Sequence, residues 1–120
     1  MLRETPEPWN ATIYAGATFD TTKTIGTANL TGIEVRAQLR QSYTSGSAMV
    51  TFGTADGSIV VGGTASTVRF MLSAASTSAL GSALGYEQAS LVFDAEAVEP
   101  GGVVSRIFQG VWTVSPEVTR

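Results

Sequence analysis

Residues 33–40 (IEVRAQLR) alternate without exception: Ile33, Val35, Ala37 and Leu39 on one face, Glu34, Arg36, Gln38 and Arg40 on the other. A period of two is the mark of a half-buried β-strand. Residues 67–72 (TVRFML) alternate again, with Val68, Phe70 and Leu72 inward and Arg69 and Met71 outward. In residues 91–97, Leu91, Phe93, Ala95 and Ala97 share one face and Asp94 and Glu96 the other. The last long run, residues 103–114, breaks the rule. Val103, Ile107 and Val111 fall on one face and Phe108, Trp112 and Val114 on the other. A strand apolar on both faces is central in its sheet or carries a bulge, and Gly110 is the natural place for one. Glu99-Pro100-Gly101-Gly102 is the strongest turn signal in the chain, so the last two runs form a closing hairpin.

Weaker signals fill in the rest. Residues 11–15 (ATIYA) and 17–24 read as short extended pieces, the second with Phe19 inward. Residues 26–32 loop around Leu30, and residues 41–47 form a polar loop. Residues 48–54 and 58–61 flank Ala55-Asp56-Gly57, a hairpin signal, and Gly62-Gly63 ends that pair. Residues 73–80 (SAASTSAL) are the one helix-like piece, capped by Ser73 and stopped at Gly81. Residues 1–10 hold Pro6 and Pro8 and read as an extended N-terminal arm, whose Trp9 either plugs the core or anchors into a neighbour. Residues 11–120 read as a single domain. About seven to nine short strands predict an all-β, antiparallel, immunoglobulin-like β-sandwich with one short helical turn near residues 73–80.

Composition narrows the function. Charged residues are 14% of the chain, against roughly 25% in an average globular domain. Either a Ser/Thr-rich surface surrounds a compact β-domain, or partner subunits cover much of it. A net charge of −3 with scattered basic residues speaks against nucleic acid, and no polybasic run marks a membrane surface. No apolar run has signal-peptide or membrane-span length, so the expectation is synthesis in the cytoplasm without a signal peptide.

Chemistry is sparse. The chain has no cysteine and no histidine, which removes disulfides, thiolate metal sites and the commonest general base. With Lys23 the one amine base, no serine is convincingly activated. Asp94 and Glu96 could do acid–base work or bind Ca²⁺. Cross-strand pairing with Arg106, Arg36 or Arg40 is favoured instead. Asp56-Gly57 reads as a turn, and neither Gly62-Gly63 nor Gly101-Gly102 is a phosphate loop. The expectation is no enzyme, no cofactor and no metal. Trp9, Tyr14, Tyr43, Val118 and Arg120 are the candidate interface residues. Trp9, Tyr14, Tyr43, Tyr86 and Trp112 could also form a sugar-stacking platform.

Several pieces recur in a recognisable order. Leu30-Thr31-Gly32 precedes the alternating strand, and Ser73 to Thr77 makes a Ser-x-x-x-Thr helical turn. Phe93-Asp94 is an aromatic-Asp step, Arg106, Gly110 and Val114 follow an Arg-x-x-x-Gly-x-x-x-Val spacing, and Val118-Thr119-Arg120 ends the run. Over residues 16–120 this resembles a small β-sandwich domain of tailed-bacteriophage virion proteins, best known as the N-terminal domain of baseplate upper proteins. The resemblance implies a non-enzymatic virion component that docks on other virion structural proteins, as a multi-copy homo-oligomer. In baseplate upper proteins a fibre or receptor-binding region follows, whereas this sequence stops at Arg120. The expected role is therefore a docking, decoration, tail, baseplate or head–tail accessory subunit. The alternative is a carbohydrate-binding β-sandwich module for host-surface attachment.

Overall fold

A computed structural model of the chain describes residues 5–120. In chain order the elements are β1 (Glu7–Pro8), β2 (Ala11–Tyr14), β3 (Phe19–Thr24), β4 (Glu34–Arg40), β5 (Val50–Gly53), β6 (Ile59–Val61), β7 (Thr67–Leu72), α1 (Ala74–Ala83), β8 (Ala89–Val98) and β9 (Val104–Ser115). Six strands make the larger sheet, ordered β1-β9-β8-β4-β5 with β2 also on β9, and β3-β7-β6 make the smaller. The fold is all-β and sandwich-like. The inward residues of the alternating strands meet in one core: Val35, Leu39, Leu91 and Phe93 from the larger sheet, Ile59, Val68 and Phe70 from the smaller.

The extended N-terminal arm is part of the larger sheet. Its residues 1–4 lie outside the described residues, but β1 and β2 both pair with β9. They run parallel to it, where an all-antiparallel sandwich was expected. Glu7 stands opposite Phe108 and Ala11 opposite Trp112, the same offset, so the two pieces are one strand interrupted at Trp9-Asn10. At the interruption the Trp9 side chain turns into the core, leaving 8% exposed. Its ring meets Phe70, Phe93, Phe108 and Trp112 edge-on, with centroids 4.9–5.6 Å away. The Trp9 amide donates to the Gln109 carbonyl at 2.8 Å. Asn10 Oδ1 accepts from the Val111 amide at 2.9 Å, standing in for a strand carbonyl. Trp9 is thus a core residue and not an interface anchor.

Gly110 explains itself in the same place. A Cβ there would collide with the Trp9 carbonyl oxygen and lie 2.7 Å from Asn10 Oδ1. The glycine therefore admits the N-terminal strand and does not bend β9. The bulge lies three residues earlier. Ala95 pairs with Phe108 and Glu96 with Arg106, so Ile107 is the extra residue. It switches the phase of the strand: Ile107 and Phe108 both point inward, while Val103, Val104 and Val111 are exposed. The apparent two-sidedness of the run is one buried face read across that switch.

Two further expectations change. Residues flanking Asp56-Gly57 do not form a hairpin: β5 pairs with β4 in the larger sheet and β6 with β7 in the smaller. The turn carries the chain between layers. Asp56 Oδ1 accepts from the Ser58 amide at 2.9 Å and its hydroxyl at 2.6 Å. Helix α1 is capped by Ser73, whose Oγ accepts from the Ser76 amide at 3.1 Å. It runs through Gly81 to Ala83, and Gly81 is needed where the helix touches Ala15, since a Cβ would lie 2.7 Å from that methyl. Gly85, at φ +70°, follows the helix end. Fully buried Thr77 fastens α1 to the β2–β3 turn, accepting from the Gly16 amide at 3.1 Å and lying 2.8 Å from the Ala17 carbonyl.

Replacing Trp9 with alanine is expected to destabilise the fold by about 3–5 kcal/mol, the usual cost of emptying a buried indole site. Gly110→Ala should cost about 1–3 kcal/mol through forced displacement of the N-terminal strand. Denaturant midpoints measure both. A Trp9→Ala loss under about 1 kcal/mol would contradict the placement of Trp9 in the core.

Candidate interaction surfaces

The polar faces of β4, β8 and β9 form a ladder on the outside of the larger sheet. Strand pairing aligns Arg36 with Glu96 and Arg106, and Gln38 with Asp94 and Gln109. Arg36 Nε donates to Glu96 Oε1 at 3.1 Å. Arg106 reaches diagonally to Asp94, Nε to Oδ2 at 3.6 Å. Asp94, Glu96, Arg36 and Arg106 are therefore brought together as alternating charges. Arg40 takes a different part. Its Nε and Nη2 fork onto Gln38 Oε1 at 3.2 and 2.8 Å, and Nη1 donates to the Ser45 carbonyl at 2.7 Å. Such half-exposed pairs contribute about 0.2–1 kcal/mol each, so this face costs the fold little to change.

Of the candidate interface residues, Tyr14, Val118 and Arg120 converge. Tyr14, 64% exposed, ends β2 opposite Ser115, where β9 ends. The chain then passes Pro116 and turns over α1. Glu117 packs on Gly16, and its Oε1 accepts from the Ser78 hydroxyl at 2.7 Å. Arg120 Nη1 donates to the Glu117 carbonyl at 2.9 Å, and its guanidinium sits 4.0 Å from the centre of the Tyr86 ring. Val118 is 94% exposed. Tyr86 belongs to this end as well, although it is not among the candidate interface residues read from the sequence. Its partner Arg120 is distant in sequence, and its φ of +59° leaves no mark in the pattern. Tyr43 lies across the sheet, on the β4–β5 loop, beside Arg40 and Val92. Trp9 and Trp112 are buried in the core, so the five aromatics do not make one platform.

On the smaller sheet Arg69 grips Asp20 bidentately, Nε to Oδ1 at 2.9 Å and Nη2 to Oδ2 at 2.6 Å. These hydrogen bonds hold the Asp20 carboxyl below its ordinary value of 3.8 and raise Arg69. Hydrogen bonds from the Ser58 hydroxyl and amide lower Asp56 in the same way. Among the described residues no cluster of three or more acidic or other metal-ligating side chains is placed to hold a metal ion. No helix of the described residues is long and apolar enough to cross a membrane.

No protein-family model matches the chain, and no curated protein matches it significantly.

A carboxyl whose pKa is depressed by folding stabilises the fold above its unfolded pKa, and that share is lost as pH falls through the folded value. Asp20 and Asp56 therefore make the fold less stable below the ordinary carboxylate range, not above it. Carboxyl chemical shifts followed against pH should show Asp20 titrating below 3.8, and Arg69→Gln should move it upward. An Asp20 midpoint unchanged by Arg69→Gln would contradict the assigned cause.

Proposed function

We propose that this protein is a non-enzymatic structural subunit of a tailed-phage particle, acting through contacts with other virion proteins. The observation that carries this reading is the convergence of Tyr14, Tyr86, Val118 and Arg120 at one end of the sandwich. Tyrosine and arginine are the residues interfaces favour, because each offers a large contact area with a polar handle. The end is also braced. The Glu117 carboxylate and the Arg120 guanidinium tie the last residues to α1 and Tyr86, so docking there orders little that is mobile. Resemblance over residues 16–120 to the phage β-sandwich domain supplies the particle context and the immunoglobulin-like kinship of the sandwich. In this reading the subunit works in the virion in many copies, as a tail, baseplate or head–tail docking or decoration component.

Mass spectrometry of purified particles should find the protein in many copies per virion. Absence from mature particles would contradict the proposal. Val118→Asp and Tyr14→Ser should leave stability within about 0.5 kcal/mol, as surface changes do, yet reduce incorporation. Full incorporation of both variants would move the interface elsewhere.

A further inference from the structure

The outer face of the larger sheet carries two adjoining depressions, each of about 290 Å³. They share Gln38, Asp94 and Glu96, and together they make a shallow trough along β4 and β8. Four charged side chains line it: Arg36, Arg40, Asp94 and Glu96. Two guanidiniums and two carboxylates sum to zero. An anion or a cation entering the trough would meet its like as well as its opposite. A neutral ligand rich in both donors and acceptors meets no net repulsion and needs only the bonding capacity that the paired groups leave open.

One wall is aromatic. Tyr43, 79% exposed, borders the trough beside Arg40 and Val92. The backbone of the loop that carries this ring is tied down. The Ser42 amide donates to Ser45 Oγ at 3.1 Å, and Arg40 Nη1 holds the Ser45 carbonyl at 2.7 Å. The side chain that floors the trough thus also holds the loop that walls it. Such preorganisation lowers the entropic cost of binding.

The polar groups retain capacity. The guanidinium of Arg106 stands 3.6 Å from Asp94, beyond a good hydrogen bond, so the carboxylate keeps acceptor sites. Gln38 Nε2 reaches Thr51 Oγ1 only at 3.5 Å, so its amide hydrogens are weakly engaged. A pyranose matches this set. One face of its ring is C–H and packs on an aromatic face, while neighbouring hydroxyls bridge a carboxylate and an amide.

We propose that this trough is a saccharide subsite for a neutral hexopyranose, with Tyr43 stacking on the sugar ring and Asp94 and Gln38 bonding its hydroxyls. The trough shares no lining residue with the Tyr14–Tyr86–Val118 surface and does not depend on the docking role.

The test is an amide-resolved NMR titration of the full chain with the methyl glycosides of glucose, galactose, mannose and N-acetylglucosamine. At least one should give saturable shifts confined to residues 38–43 and 92–96, with a Kd of about 1–10 mM. Tyr43→Ala should weaken that binding about tenfold or more, and Tyr43→Trp should retain it. Asp94→Asn should also weaken it. No saturable change in those residues with any of the four sugars would overturn the proposal. So would sugar binding that Tyr43→Ala leaves unchanged, or stronger perturbation of the same residues by inorganic sulfate.

Discussion

The buried indole N–H of Trp112 must have an acceptor, and the one it finds is the backbone carbonyl of Trp9, at 3.2 Å. That single requirement ties the two ends of the chain together across 103 positions. A buried donor left unpaired costs about 1–3 kcal/mol, so the core is incomplete until the N-terminal strand arrives. Once there, Trp9 fills the space beside Trp112 with its own ring. Trp112 stacks on Phe93 at 4.2 Å, and both Trp9 and Trp112 meet Phe70 of the opposite sheet. The aromatic cluster is thus the joint between layers as well as the seal along one edge.

The local features of β9 follow from this joint. Gly110 is bare because the Trp9 carbonyl occupies the space where a Cβ would be. The Ile107 bulge lets the strand present Ser105 and Ile107 inward at one end and Phe108, Trp112 and Val114 inward at the other. β9 becomes central because β1 and β2 lie along its second edge. With apolar needs met inside, the outer face of the larger sheet is free to carry a charge-balanced ladder. The far ends of β2 and β9 are free to present Tyr14, Val118 and the Tyr86–Arg120 pair. The exposed sheet face and the exposed end both rest on a core closed by the chain's own first strand.

Much of this was legible in the sequence, and the exceptions are instructive. β4, β7 and β8 alternate strictly, and their buried positions follow the pattern because none of them carries an extra residue. β9 misled because Ile107 shifts its phase, and an extra residue looks the same in sequence as a second apolar face. Asp56-Gly57 misled because its Ser58 hydrogen bonds are local. The same turn forms whether the flanking strands pair or part. Pro6 and Pro8 suggested an extended arm, and Pro8 is tolerated in an edge strand, where an amide is not needed on the open side. Only a pairing partner some hundred positions away reveals that strand. The ladder of Arg36, Asp94, Glu96 and Arg106 could be read from the polar faces alone. The trough and the Tyr86–Arg120 contact could not, since both depend on strand register and on where a turn returns the chain.

Amide hydrogen exchange reads the joint itself, because the N-terminal strand is held to β9 by hydrogen bonds whose exchange rates can be followed one by one. The Trp9 amide, bonded to Gln109, and the Val111 amide, bonded to Asn10, should exchange only through global unfolding, as slowly as the amides joining β4 and β8. Exchange of these two amides orders of magnitude faster than the β4–β8 ladder would show a strand that frays on its own, and would contradict a core completed by Trp9.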